Sequence, residues 1–465
     1  MSASAWFDSV AHRDWLSEYP IGPAFLDTFT RRSRDELRAA QERRFRAVMD
    51  RAWRVPFYRR RWEAAGLAPG DVGTLDDCVK LPRYSKADLM ESVAAHPPFG
   101  DYHGVDSYPP DARPPVVLHT TSGTTGRPQP ILWGPKGREM QNLMLARAYR
   151  LQGMRDDDVV HSVYGHGLVN GGHYVRETVM HFTRALFVSA GTGHETRSRT
   201  QVELMRDLRA TVIVGFADYI RHLADVARDA GLAPDRDLRI RMISCHLGRE
   251  SRAALSEAWG GAEVFDWYGV ADTGTVAAEG PDHAGLYLME DAHWVEILDP
   301  DTGLAAPDGT PGNLCVTSLF KDDVFPVVRF DTQDLAALVP GASPLGLGLR
   351  RIGGILGRSD NMVKLRGINV YPTAVGETLR EAPETTGEFL CRLDRVDERE
   401  ELTVLVEVRA DPRAWPALST SLRDLLRRRL GVDLPVEAVA PGSLAPLTGI
   451  ESRQKPVRLL DNRRQ

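Results

Sequence analysis

Cysteine is scarce in this sequence. Cys78, Cys245, Cys315 and Cys391 are the four in 465 residues. They lie far apart and form no C-x-x-C pair, so they read as reduced cytosolic thiols, mostly in the core, and not as a disulfide framework. No apolar run approaches the ~20 residues a bilayer-spanning helix needs, so no membrane segment is expected. The opening "MSASAWFDSVAHRDW" lacks the basic-then-apolar pattern of a signal peptide. Positive charge is not in excess either. The formal net charge is -6 and the pI about 6.1, which argues against a nucleic-acid-binding surface. Internal repeats are missing. A cytoplasmic enzyme is the class left standing.

What is present fits that class. Hydrophobic residues make up 42% and charged residues 26%, as in ordinary globular chains. A length of 465 residues is too great for one ordinary core, so two or more domains are expected. The first ~115 residues read as helical and Arg-rich, and "FYRRRW" reads as a solvated helix face. From residue 116 strands alternate with helices: "PPVVLHT", "PILWG", the helix "KGREMQNLMLARAYRLQG", then "DVVHSVYG", "ATVIVGF", "RIRMISC" and "AEVFDWYG". That alternation predicts a parallel α/β sheet covered on both faces. From about residue 285 the texture turns to β, with "GLYLMED", "HWVEILD", "NLCVTSLF" and "FPVVRFDT", which predicts a smaller β-rich subdomain or barrel. The last stretch alternates strands and helices on its own. The expected organisation is α/β: a large N-terminal α/β domain with a β-rich subdomain, residues 1–359, then a small α+β C-terminal domain, residues 360–465, with the boundary at "GRSDN".

The stretch "TTSGTTGRPQP", residues 120–130, places two glycines and five hydroxyl side chains in its first seven positions. Gly123 and Gly126 let successive N–H groups turn toward one point, and Ser122, Thr124 and Thr125 add hydroxyl donors, so the loop can form a nest for phosphate oxygens. The common nucleotide loop G-x-x-x-x-G-K-[ST] cannot be laid on it. Alone, such a string is a plain turn more often than not.

Four further stretches extend this reading: "WYGVADTG" (267–274), "FPVVRFDTQDL" (325–335), "GRSDNMVKLRGINVYP" (357–372) and "SRQKPVRLLDNR" (452–463). In order and spacing they resemble the motifs of the adenylate-forming superfamily of acyl-CoA synthetases and adenylation domains, and among these the phenylacetate-CoA ligase family. "RVPFYRRRWEAAGLAPGDVGTLDDCVKLPRYSKADL" and "HWVEILDPDTG" carry the same resemblance, which spans nearly the whole chain.

The resemblance implies a chemistry and a set of roles. A carboxylate attacks the α-phosphate of ATP, pyrophosphate leaves, and the thiol of coenzyme A then displaces AMP. The loop from Ser122 to Gly126 would hold the β- and γ-phosphates, where neutral donors stabilise the charge building on the leaving group. Asp272 would hold Mg2+. Tyr268 would pack near the adenine. Asp334 would accept both ribose hydroxyls with its two oxygens, and Arg358 would approach the ribose from the other side. Asp360 would be the hinge of a mobile C-terminal domain, and Lys455 would reach the attacking carboxylate and the α-phosphate as a flexible point charge. Tyr164, His166 and Gly167 fall in the segment that lines the aryl pocket in that family. The bland alternatives are that Asp272 and Asp334 are caps or turn residues, and that His161 and His166 sit in a strand and a Gly-rich turn for structural reasons. His161, His166 and His173 lack the spacing and ligand company of a zinc site.

The sequence departs from the family pattern at several points. Asp272 stands where Glu is usual, "SCHLGRE" (244–250) replaces a small-residue turn, Gln454 precedes Lys455 in place of glycine, and Arg127 stands where lysine is common. "AAEGPDHAGLY" lacks the cysteines that sometimes hold a structural metal, so no zinc is expected. These changes surround the nucleotide and the acid. Three readings follow: an aryl-CoA ligase taking a small aromatic carboxylic acid, ATP, Mg2+ and coenzyme A; an adenylating amide synthetase or carrier-protein-loading enzyme; and a non-catalytic nucleotide-binding protein. No nucleic-acid or membrane partner is expected, and a homodimer is possible by analogy.

Overall fold

The computed structural model describes residues 10–121, 128–248, 250–359, 363–365, 368–396, 399–450 and 456–463. Its largest element is an eight-stranded sheet in the spatial order Arg351–Ile352, Leu286–Leu288, Gly274–Glu279, Glu263–Val270, Met242–His246, Val212–Phe216, Val159–Ser162, Leu186–Ser189. The half running from Glu263–Val270 to Leu186–Ser189 is parallel. Its central strands read "VIVGF" and "MISCH" and are buried almost throughout, as β-branched and apolar runs must be when both sheet faces are covered. The other half is antiparallel, because Glu263–Val270 turns straight back into Gly274–Glu279.

Helix Pro135–Leu151 carries fourteen buried residues of its seventeen, including charged Arg147, which is wholly enclosed. Arg147 survives there because Asp291 takes its guanidinium in two bonds of 2.7 and 2.9 Å and Pro20 O accepts from Nε at 2.8 Å.

Two expectations need correction. "GLYLMED" does not join the β-rich unit; Leu286–Leu288 is a strand of the large sheet, paired antiparallel with Gly274–Glu279. Its all-buried pattern marks a core strand but does not say which sheet receives it. "FPVVRFDT" forms a strand only from Phe330 onward. Pro326 has no N–H to give a ladder and Arg329 sits at φ 58, in the left-handed region, so pairing starts after both. The β-rich unit is an open four-stranded antiparallel sheet, His293–Leu298, Gly312–Ser318, Phe330–Ala336 and Gly357–Arg358, and not a barrel.

Farther along, Thr385–Val396 and Arg399–Val408 form a long hairpin flanked in parallel by Leu459–Asp461 and Val436–Val439. Helices Pro372–Leu379 and Trp415–Leu430 cover it. Its core of Val375, Leu379, Cys391, Val404 and Leu426 is built from this stretch of the chain. All four cysteines are buried. In "FYRRRW", Phe57, Tyr58 and Trp62 face the core, while Arg60 and Arg61 pair with Asp101 and Asp88.

Candidate functional site

The strands on either side of the Gly/Ser/Thr stretch form a two-stranded sheet. Val117–Thr120 pairs antiparallel with Pro130–Trp133, and Thr121 N donates to Gln129 O at 3.2 Å, closing the base. Gln129 N in turn donates to the Thr121 hydroxyl at 3.2 Å. Ser122, Gly123, Thr124, Thr125 and Gly126 lie outside the described residues, as do Asp360 and Lys455.

Asp272 occupies the turn between strands Glu263–Val270 and Gly274–Glu279. That turn is tight. A Cβ on Gly269 would come within 2.5 Å of Gly274 O, and Gly274 holds φ +73, so glycine is required at both positions. The Asp272 carboxylate is buried and accepts a hydrogen bond from Gln129 Nε2 at 2.7 Å. The hairpin that carries the loop is thereby tied to the turn that carries the acid. Gln129 Oε1 is buried and, among the described residues, has no donor.

Beneath this pair lies Lys321, also buried. Its ammonium donates to Asp272 O at 2.8 Å and stands 3.5 Å above the Trp133 ring and 4.6 Å from that of Phe325. The aromatic faces and the carbonyl replace water around the charge. Burial pushes the Asp272 carboxyl up and the Lys321 ammonium down, while Gln129's donated bond and the charges themselves oppose the shift.

A second cluster forms where the two large sheets meet. Asp334 on strand Phe330–Ala336 is in register with Arg358 on Gly357–Arg358. Tyr268 Oη donates to Asp334 Oδ2 at 2.7 Å, and Arg358 Nη1 donates to Oδ1 at 3.1 Å. Burial pushes the Tyr268 phenol far above its usual range, so it stays a donor. Each carboxylate oxygen keeps a lone-pair direction for a further donor.

The carboxyl ends of the parallel strands build an aromatic wall, in the place where open α/β sheets bind ligands. Tyr164 follows strand Val159–Ser162 and gives its hydroxyl to Gly215 O at 2.9 Å. Phe216 ends the next strand and stacks on His246 at 4.9 Å and 23°. His246 lies 4.0 Å from Trp267 and donates Nδ1–H to Trp267 O at 2.9 Å. Tyr164 closes on Phe216 edge to face at 5.2 Å. The "SCHLG" turn behind His246 is held by Asp266, whose Oδ1 accepts from Leu247 N at 2.9 Å. Burial pushes the Asp266 carboxyl up to about 7.

His166 and Gly167 are on the adjoining turn. His166 Nε2 meets the Ser189 hydroxyl at 2.7 Å, and Gly167 O accepts from His173 Nε2 at 2.8 Å. A Cβ on Gly172 would strike Gly165 O at 2.3 Å, so helix Gly171–Phe182 needs glycine there to seat against this turn. His161 points elsewhere, to Gln201 Oε1 at 3.1 Å.

The structure therefore brings Tyr268, Asp334 and Arg358 together, ties Asp272 to the loop hairpin, and sets Tyr164 in an aromatic wall beside His166 and Gly167. Sequence reasoning did not single out Gln129, Lys321, Phe216 or Trp267. Lys321 had one signal, a charge ending the apolar run "NLCVTSLFK".

Known proteins resemble this chain over most of its length. Residues 63–320 match the AMP-binding enzyme family and residues 367–463 the AMP-binding enzyme C-terminal domain. A phenylacetate-coenzyme A ligase of Aromatoleum evansii is 31% identical over 92% of this chain and 95% of its own. A 2-hydroxyisobutyryl-CoA ligase in the postadenylation state, in complex with R3-HIB-AMP, superposes with a TM-score of 0.82 at 28% identity over 96% of this chain and 95% of that one. The same ligase in its thioesterification state, with 2-HIB-AMP and CoA, gives 0.65 at 30% identity over 93% and 91%.

Proposed function

The chain belongs to the adenylate-forming AMP-binding enzyme family, and on that premise we propose that it is an acid–CoA ligase acting on a small aromatic carboxylic acid. The observation that carries the nucleotide half is Asp334, buried and aimed by donors from two strands, Tyr268 and Arg358. The aromatic half is supported by His246 between Phe216 and Trp267, with Tyr164 against Phe216, at the carboxyl edge of the sheet.

In the first half-reaction a substrate carboxylate oxygen attacks the α-phosphorus of ATP, the bond to pyrophosphate breaks, and an acyl-adenylate forms. Asp334 fixes the ribose by accepting its hydroxyls, with Arg358 and Tyr268 keeping the carboxylate in place. The loop Ser122–Gly126 donates to the departing pyrophosphate. Lys455 offsets the negative charge gathered between the carboxylate and the α-phosphate. Asp272 and the neighbouring Gln129 Oε1 would hold a magnesium ion that offsets the phosphate charge. A buried carboxylate and an amide oxygen with no donor among the described residues make an all-oxygen donor set, as that cation requires. Asp is one methylene shorter than Glu, and Gln129 Oε1 would add a second oxygen donor.

In the second half-reaction the coenzyme A sulfur attacks the acyl carbonyl and AMP leaves. We assign residues 1–359 to nucleotide and acid binding and 360–465, turning about Asp360, to the supply of Lys455. The test is acid-dependent pyrophosphate release over a panel of aromatic acids, run with coenzyme A and then with amines, the products identified by mass. Aryl-CoA product is expected. Amide product with no thioester would move the reading to an amide synthetase, and no release with any acid would remove the enzymatic reading.

A further inference from the structure

Arg458 stands three residues beyond Lys455 in the sequence and is the point where that end of the chain is fastened. Val457 N donates to Thr448 O at 2.8 Å, joining the two flanks of residues 451–455, and Cys391 N donates to Arg458 O at 2.9 Å, which fastens the later flank to strand Thr385–Val396. The Arg458 side chain then reaches outward. Nη1 pairs with Glu388 Oε2 at 2.9 Å and Nη2 with Asp218 Oδ1 at 3.1 Å. Asp218 belongs to helix Ala217–Asp229, which follows directly on Phe216 of the aromatic wall.

The contact is one of six charges. On the large-domain side are Asp218, Arg221 and Glu250; on the other side are Arg380, Glu388 and Arg458. Arg221 pairs with Glu388 at 3.0 Å and donates to Thr386 O at 2.9 Å. Arg380 pairs with Glu250 and approaches Asp218 to 3.9 Å. Gly387 holds φ +89, and a Cβ there would lie 3.3 Å from the Arg221 guanidinium, so glycine lets the two surfaces close. Three acids face three arginines, and burial together with the neighbouring Asp218 pushes the Glu250 carboxyl up to about 7. Burial works against ionising Asp218, yet Arg458 and its neighbours hold the carboxyl below its usual range.

We propose that the Asp218–Arg458 ion pair is the docking contact that positions the Lys455-bearing segment for adenylation, and that thioester formation does not use it. This rests on the ligase reading above. Both are positioning residues; neither side chain is assigned to the reacting atoms. The match to the postadenylation structure (0.82) is closer than that to the thioesterification structure (0.65), which fits a cluster belonging to one of the two arrangements.

The test separates the half-reactions. Acid-dependent ATP–pyrophosphate exchange reports adenylation; thioester formation from supplied acyl-adenylate and coenzyme A reports the second step. Asp218→Ala and Arg458→Ala are each expected to lower exchange roughly tenfold, with the second step unchanged, and the double variant to be no slower than the slower single. Asp218→Asn, which keeps the side-chain shape, guards against a folding defect, and a melting curve accompanies each variant. Equal loss in both steps, or single effects that multiply in the double variant, overturns the proposal. Exchange intact in the parent and undiminished in the variants overturns it while leaving the ligase reading standing; no exchange in the parent overturns both.

Discussion

Tyr268 and Asp334 stand on different sheets, yet the phenol donates to the carboxylate at 2.7 Å. The eight-stranded sheet supplies the donor and the four-stranded sheet the acceptor, so one hydrogen bond joins the two sheets at their seam. Asp334 is buried and its second oxygen is held by Arg358. A carboxylate fixed by two partners presents its remaining lone pairs in a set direction, which a diol can use.

Tyr268→Phe keeps the ring and deletes that donor. A hydrogen bond to a charged group contributes about 1.5–3 kcal/mol, and in the proposed ligase it orients the carboxylate assigned to the ribose. The KM for ATP is expected to rise roughly tenfold or more, with a smaller change in kcat. Steady-state pyrophosphate release against ATP concentration checks this; an unchanged KM would detach Asp334 from the nucleotide.

Gln129→Leu tests the tie between loop and acid. The leucine removes the 2.7 Å donor to Asp272 and the oxygen beside it. Magnesium binds through oxygen ligands, so its half-saturating concentration is expected to rise severalfold at fixed ATP. The protein is also expected to lose about 1–3 kcal/mol of stability, because a buried carboxylate oxygen is left unpaired. A magnesium titration of pyrophosphate release reads the first effect and urea unfolding the second. Lower stability with an unmoved magnesium requirement would leave Gln129 a structural residue only.

Much of this site was legible as motifs. Asp334, Arg358, Tyr268 and Asp272 stand out because each lies in a short patterned stretch. Gln129 did not, because its partner is 143 residues away and nothing local distinguishes it from a turn residue. Phe216 and His246 end two adjacent strands, but their stacking depends on a strand order that the sequence does not state. The fold followed the same division. The parallel half of the sheet was readable from alternation of apolar runs with helices. The destination of Leu286–Leu288 was not, since an all-buried run suits either sheet.

Acid stability gives a further test through buried histidines. His161 and His293 are both pushed down to about 4 by burial. His293 donates from Nε2 to Thr275 O at 3.0 Å, and its Nδ1 meets the Ser318 hydroxyl at 3.2 Å, an arrangement that suits the neutral ring. A lowered folded-state value means that the unfolded chain binds the proton first. The stability these rings contribute is complete above the ordinary 6.5 and is lost as pH falls toward 4. Asp266, raised to about 7, runs the other way and gains stability as pH falls through that value, so the parent's overall slope mixes the two. The difference between parent and His293→Gln isolates one ring. Between pH 7.5 and 5 the parent is expected to lose about 2 kcal/mol relative to that variant. Urea midpoints at the two pH values measure it, and parallel profiles would show that His293 is not held neutral.

Selectivity for the acid should answer to His246. Its imidazole lies between the Phe216 face at 4.9 Å and Trp267 at 4.0 Å, and its Nδ1–H holds Trp267 O. Truncation to alanine removes the middle member of the stack and frees a volume the size of a five-membered ring. Two neighbours then lose contact on one face, which costs packing that a small substrate cannot restore. A larger ring system can fill the space. His246→Ala is therefore expected to lower kcat/KM for a single-ring acid by roughly 10- to 100-fold and to lower that for a two-ring acid less, so that the preference narrows or inverts. The KM for ATP should hold, since Asp334 and its donors are on other strands. Competition between the two acids, with products separated by mass, reads the ratio directly. A uniform loss for both acids would mean that the stack supports the fold and does not shape the pocket.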